Sequence, residues 1–263
     1  MRVKAPRWIW IFYAVSILAF YIPFSGILLG AFSERQNDSL VFTMKWFAEV
    51  FNDPQLLQSL SNSLIVGLSA SLISTGIGAA AAIGINKTIT WDKVLLEQLS
   101  LLSLFLPEII LALSMLTWFF ILKFELGLPT VILAHVTFTL SYVIFTVSAR
   151  LSLFDKSIEE AAQDLGASSW QTLWHVTLPV LKPALVSGFV MSFLISFDDF
   201  LITFFVNGSG QDTLPVTLYS AMKFGISPKL NALSVLMLMA TIVLVVFFFR
   251  KSGIHALLKS DER

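Results

Sequence analysis

Two adjacent carboxylates, Asp198 and Asp199, stand in a run that is otherwise apolar over residues 184–206. An ionised carboxylate at mid-bilayer costs about 3 kcal/mol on insertion scales, so it faces a cavity, a partner or a counter-charge rather than lipid. Carboxylates in a low dielectric attract protonated amines, and neighbours on a helix point about 100° apart. The pair is therefore expected to offer at least one acid to the path of a cationic solute. A structural hydrogen bond or an ion pair with another chain is the alternative. Glu108 directly follows Pro107 in a second apolar run and is a further path candidate, or else an interfacial acid paired with Lys or Arg. His135 is expected as a packed, hydrogen-bonded imidazole rather than a proton relay. Trp118, Phe119 and Phe120 read as part of an aromatic belt, with an amine-binding wall by cation–π contact as the other option.

Several chemistries are missing. No Gly-x-x-x-x-Gly-Lys-[Ser/Thr] occurs, so the chain has no phosphate-cradling loop for ATP. His135, His175 and His255 are far apart, cysteine is absent and the formal net charge is zero. No catalytic residues, metal site, disulfide or nucleic-acid partner are expected.

The elements that must position these acids follow from composition. The 263 residues are 56% hydrophobic and 13% charged, with a mean hydropathy of +0.82. That balance describes a multi-spanning membrane protein. At about 20 apolar residues per crossing, six helical spans are expected, over residues 8–32, 63–85, 94–122, 128–150, 184–206 and 230–250. The first, flanked by Arg2, Lys4 and Arg7, exceeds a signal-peptide core and has no small-x-small cleavage site, so it reads as a retained helix. The third would reach about 43 Å as one straight helix, and Pro107 near its middle predicts a kink or break. In the second, Ala70, Ser74, Gly78 and Ala82 form a small-residue face for close helix packing.

Basic residues set the orientation. One side collects Arg2, Lys4, Arg7, Lys87, Lys93, Arg150, Lys156, Lys182, Arg250, Lys251, Lys259 and Arg263, against Arg35, Lys45, Lys123, Lys223 and Lys229 on the other. Both termini and the polar loop over residues 151–183 are expected in the cytoplasm. On the opposite side, residues 33–62 and 207–229 are long enough to fold as interfacial helices or to meet an external partner.

The cytoplasmic loop has its own grammar. Ser157 is placed to cap a short helix with Glu160 three residues on, and Gly166 suits an end that needs positive φ. Ser168 or Ser169 can cap a second helix carrying Trp170, Leu173 and Trp174, which Pro179 and Pro183 are expected to close. Two short helices joined at a glycine make a knob for a socket on another protein; an interfacial hairpin is the alternative. The spacing reads Glu160-Ala161-Ala162, three residues, Gly166, nine residues, Val176, one residue, Leu178-Pro179. It resembles the EAA motif of ABC importer permeases, in which this loop docks on a separate ATPase subunit. Further segments, Phe42-Thr43-x-Lys45-Trp46, Ala134-His135-x-Thr137-Phe138, Ser196-Phe197-Asp198-Asp199 and Ser227-Pro228-x-x-Asn231-Ala232-Leu233, resemble the PotC-type subunit of spermidine/putrescine importers.

The resemblance covers nearly the whole chain. It implies an all-α, polytopic ABC importer permease (MetI-like) fold in one transmembrane domain, residues 1–263, in a bacterial inner membrane. It implies no enzyme activity in this chain and no cofactor, with ATP bound by partner subunits. The expected partners are a homologous second permease subunit, two cytoplasmic ATP-binding subunits and an extracytoplasmic solute-binding protein. Glu160, Ala161, Ala162, Gly166, Leu178 and Pro179 are then the ATPase-coupling residues, and Asp198, Asp199 and Glu108 the substrate-path candidates. The rivals are a permease for another solute, such as iron, a phosphonate or thiamine, and an ion-coupled carrier or channel without an ATPase. A membrane-embedded enzyme is a third, without a catalytic constellation.

Overall fold

The computed structural model describes residues 7–36, 39–88, 92–225 and 227–251. Arg2, Lys4, His255, Lys259 and Arg263, and with them both chain ends, lie outside the described residues. The chain divides into two compact units, Met1–Leu57 with Leu218–Val245, and Gln58–Thr217 with Val246–Arg263.

In the first unit, α1 (Arg7–Phe32) is apolar on every side and exposed along most of its length, from Trp8 to Leu29. A helix of that kind has lipid or another membrane chain around it. A two-stranded antiparallel hairpin follows, β1 (Ser33–Gln36) and β2 (Ser39–Phe42), in register Ser33↔Phe42 to Gln36↔Ser39. The Phe32 ring packs 5.7 Å from Phe42 and 4.9 Å from Phe47. These contacts join α1, the hairpin and α2 (Lys45–Phe51). Trp46 Nε1 donates to the Ser33 carbonyl at 3.0 Å, and Lys45 Nζ pairs with Glu34 Oε1 at 2.9 Å. The hairpin is an addition to the expected all-helical architecture.

Asp53 starts α3 (Pro54–Lys87), its Oδ1 accepting from the N–H of Gln55 at 2.9 Å and of Leu56 at 3.2 Å. The carboxylate takes orphan donors of the first turn, and Pro54 lacks an N–H where none is needed. Asp53 Oδ2 also bonds Lys229 Nζ, at the start of α12 (Pro228–Lys251). The second expected span thus begins nine residues before Ser63, because its amphipathic start is helical as well as its apolar body.

The second unit holds most of α3 and the helices that follow it as far as Val206. α4 (Asp92–Leu101) passes through a 3₁₀ turn (Leu102–Leu104) and breaks before α5 (Glu108–Ile121) with a bend of 99°. The break falls at Pro107, as its missing donor predicts. Ser103 Oγ lies 2.6 Å from Ser141 Oγ, which in turn donates to the Ser100 carbonyl. Those bonds fix the break against α6 (Leu128–Ser152). The small face of α3 is buried at Ala70, Ser74 and Ala82. A methyl group on Gly78 would come within 2.8 Å of Val143 on α6, so the backbones meet as a small-residue face allows.

After α6 come α7 (Ser157–Asp164) and α8 (Ser169–Thr172), then a π-helical turn (Leu173–Thr177) leading into α9 (Leu178–Asp198). Pro179 and Pro183 were expected to end the cytoplasmic helix, yet Ser169–Asp198 runs as one long apolar helix. Pro179 sits in the first turn of α9, directly after the wide π turn, which accommodates the missing donor and the ring. Pro183 costs a single backbone bond inside the helix, which membrane helices tolerate.

The expected span over residues 184–206 is also corrected. α9 ends at Asp198, Asp199 is extended (φ −67°, ψ 128°), and a separate α10 (Leu201–Val206) begins two residues later. α11 (Leu214–Met222) puts a helix in the loop before α12, where an interfacial helix or a contact with an external partner was the expectation. The core of this unit includes two clusters. One gathers Val66, Ala112, Phe119, Val131, Ala134, Phe138, Ile202 and Val206; the other Ala82, Ile85, Val143, Ile144, Val147, Leu151 and Leu181.

Four described helices are long and apolar enough to cross a bilayer: Trp8–Phe32, Pro54–Lys87, Leu128–Ser152 and Ser169–Asp198. The bent pair Asp92–Leu104 and Glu108–Ile121 makes a fifth if it is one span, and Pro228–Val243 is apolar but shorter. Among the described residues, length and apolarity therefore do not reach the expected six.

Candidate functional site

The break between α9 and α10 separates the two acids. Asp198, on the last turn of α9, is exposed, whereas the Asp199 side chain is only 6% exposed. Asp199 Oδ2 accepts from the Thr203 N–H at 2.8 Å and the Thr203 hydroxyl at 2.9 Å, and Oδ1 from the Ile202 N–H at 3.4 Å. A carboxylate that captures the first amides of the next helix competes with continuation of the previous one, which is why the chain turns here. The expected 100° divergence on one helix is replaced by a sharper division, one acid open and one enclosed.

His135 completes the enclosure. It is fully buried, with Nδ1 2.6 Å from Ser196 Oγ, and Nε2 3.0 Å from Thr203 Oγ1 and 3.2 Å from Asp199 Oδ2. Its carbonyl accepts from Thr139 Oγ1, which lies 2.7 Å from Ser74 Oγ. One polar chain thus links α3, α6, α9 and α10 inside an apolar unit, and burial makes each of its bonds costly to lose. This is the packed, hydrogen-bonded imidazole the sequence led us to expect. Ser196 entered the sequence reading only as part of a resembling segment and Thr203 not at all, although Ser192, Ser196, Asp199 and Thr203 recur every three or four positions in an apolar run. That polar stripe is the signal that could have found them.

Glu108 is exposed in the first turn of α5, immediately after the 99° bend. Of the three neighbouring aromatics, Phe119 is in the core beside Phe124 at 5.9 Å, while Trp118 and Phe120 face outward.

In the segment over residues 151–183 only the first of the two expected short helices, α7, stands by itself; the second, α8, continues through the π turn into α9. Asp155, not Ser157, starts α7: its Oδ1 accepts the Ser157 N–H at 3.0 Å. That bond holds the Asp155 carboxyl below its ordinary pKa. Gly166 has φ +91° and ends α7, with its N–H on the Gln163 carbonyl at 2.8 Å. Ser168 opens α8 in a reciprocal cap, taking the Gln171 N–H at 3.3 Å while Gln171 Oε1 takes the Ser168 N–H at 2.8 Å. Glu160, Ala161, Gly166 and Pro179 are exposed, and Ala162 and Leu178 half-buried. Leu165 is 91% exposed, and Trp170 and Trp174, 5.7 Å apart edge to face, are both exposed. Such a patch beside a charged helix fits a protein partner. Glu159 and Thr177 were not singled out in the sequence; the Thr177 hydroxyl donates to the Glu159 carboxylate.

Among the described residues no group of His, Cys, Asp and Glu could hold a metal ion. In the first unit, a groove of about 490 Å³ is lined by Lys45, Glu49, Asn52, Asp53 and Lys229 among others.

Comparison with known proteins gives this geometry a setting. The family described as "Binding-protein-dependent transport system inner membrane component" matches residues 73–259. The "Spermidine/putrescine transport system permease protein PotC" of Escherichia coli (strain K12) is 33% identical over 228 residues, 86% of each chain. The "Putrescine transport system permease protein PotI" of the same strain is 32% identical over 236 residues, 85% of this chain and 84% of that one. A solved bacterial alginate ABC transporter, in complex with an alginate pentasaccharide-bound periplasmic protein, contains a chain of similar fold. It has a TM-score of 0.70 and 16% identity, covering 93% of this chain and 94% of that chain.

Proposed function

The chain belongs to the binding-protein-dependent transport system inner membrane component family and is the multi-pass permease subunit of an ABC importer, and on that premise we propose that its cargo is a polyamine such as spermidine or putrescine. The observation that carries the cargo reading is one exposed carboxylate, Asp198, at the end of an otherwise apolar membrane helix. It belongs to a chain whose relatives by sequence are named for polyamine transport. A polyamine is a flexible polycation, and a single acid in low dielectric attracts it without the multiple ion pairs that would prevent release. Glu108, exposed at the bend before α5, is the second acid offered to it.

The proposed assembly pairs this chain with a homologous permease subunit across the path. Two ATP-binding subunits sit under the paired loops, and an extracytoplasmic binding protein delivers the amine. Both termini and residues 151–183 are in the cytoplasm. Glu160, Ala161, Ala162 and Gly166 present the knob to the ATPase, while Leu178 and Pro179 join it to α9. ATP-driven closure brings the two knobs together, and α9 carries the motion to the α9–α10 break and Asp198.

Purification through a tag on this chain in mild detergent tests the assembly. A second permease and an ATPase chain should accompany it, and the binding protein loaded with spermidine should stimulate ATP hydrolysis. A chain that transports after purification with no ATPase would be an ion-coupled carrier instead.

A further inference from the structure

The Thr177–Glu159 bond joins two residues with no assigned role in coupling or the path: Glu159 directly precedes the motif, and Thr177 is the open position between Val176 and Leu178 within it. Thr177 is 1% exposed, at the end of the π turn and immediately before α9. Its hydroxyl donates to Glu159 Oε1, and its other acceptor, the Thr172 carbonyl, is at the long limit of 3.5 Å. Glu159 is half-buried on the inward side of α7, while Glu160, its neighbour, is exposed. α7 also packs on α8 and the π turn, and the short link that connects it to α8 holds Gly166 at φ +91°, a conformation that favours glycine. A π turn is itself a frequent site of functional bending. The knob therefore has a pivot at Gly166, a compliant turn at residues 173–177, and one charge-assisted bond bridging them.

We propose that Glu159 and Thr177 form a strut that turns α7 and the base of α9 into one lever, so that force delivered to the knob moves α9 rather than folding the link at Gly166. Glu159 is a positioning residue for ATP-driven transport and makes no docking contact itself. The proposal rests on the reading of this chain as an ABC permease with its ATPase at residues 151–183.

The test uses the whole importer, purified through this chain and reconstituted with its binding protein. Labelled spermidine uptake and ATP hydrolysis are measured together. Thr177→Val and Glu159→Ala should keep the ATPase at wild-type stoichiometry yet consume at least about tenfold more ATP per amine imported. Thr177→Ser and Glu159→Gln, which retain donor and acceptor, should stay close to wild type. A merely structural role would lower both activities together and leave their ratio unchanged. Unchanged ratios in assembled Thr177→Val and Glu159→Ala complexes would overturn the strut. Loss of the ATPase from Glu159→Ala would overturn it too, since Glu159 would then belong to the docking surface. If Thr177→Val does not assemble, the half-buried Glu159 variants decide. A wild-type complex without an ATPase, or without spermidine-stimulated hydrolysis, would count against the permease or polyamine reading, whereas coupled wild type with equally coupled variants removes the strut alone.

Discussion

His135 Nε2 lies 3.2 Å from Asp199 Oδ2 in a position closed to solvent, and the same carboxylate carries the first amides of α10. One residue along, Asp198 is exposed. Two acids that look equivalent in the sequence therefore have different surroundings. Asp199→Ala takes the acceptor from the Thr203 hydroxyl and from two backbone N–H groups and leaves His135 Nε2 with Thr203 Oγ1 alone, at about 1–3 kcal/mol for each buried group left unpaired. The solubilised protein should lose at least about 2 kcal/mol of stability, read as a lower melting temperature. Asp198→Asn should change stability by no more than about 0.5 kcal/mol, as exposed substitutions do. In the same preparation it should depress amine transport several-fold. Equal melting temperatures for the two variants would contradict the division.

Gly166, at φ +91°, sits where an L side chain costs about 1–2 kcal/mol. Gly166→Ala should weaken ATPase retention in detergent about tenfold, and Gly166→Asn less, because Asn tolerates the left-handed region. Gly166→Asp should leave membrane insertion intact and detach or uncouple the ATPase. Normal uptake by that variant would weigh heavily against docking at this loop.

Much of this arrangement is legible residue by residue. Pro107 announces the break before α5, Gly166 its positive φ, and the pair Ser168 and Ser169 a helix cap, which Ser168 provides, because each acts through its own backbone or its nearest neighbours. The small face at Ala70, Ser74, Gly78 and Ala82 is legible through periodicity. The strands over Ser33–Gln36 and Ser39–Phe42 are too short to show alternation, and their fixation by Phe32 and Trp46 is tertiary. Asp199 reads as a helical residue until its partners Thr203 and His135, the latter 64 positions away, are known. Pro179 reads as a terminator until the π turn before it is seen. Polar groups in apolar runs name a site, but which of them faces outward is decided by contacts between helices.

Close packing of α3 on α6 gives a third expectation. Gly78→Ala places a methyl carbon against Val143 at 2.8 Å, and overpacking of this kind costs about 1–3 kcal/mol. The melting temperature should fall, and Val143→Ala in the same chain should recover part of it. Additive losses in the double variant would contradict direct contact.

Asp53 and Lys229 supply a pH dependence. The Lys229 bond, aided by the Leu56 and Gln55 N–H groups, holds the Asp53 carboxyl below its ordinary pKa despite partial burial. A group with a depressed folded pKa contributes stability above its unfolded pKa, about 3.9 for Asp, and loses it as pH falls through the folded value. The melting-temperature gap between wild type and Lys229→Met should be full at neutral pH and close progressively below about pH 4. A gap that widens on acidification would reverse the assignment.

Polyamine import through this permease is tested most directly in cells lacking the chain and any second polyamine importer. Uptake of labelled spermidine should disappear, return with the restored chain, stay low with Asp198→Asn, and be competed by unlabelled putrescine. Unchanged spermidine uptake without the chain would discard polyamine as the cargo and return Asp198 to a structural role.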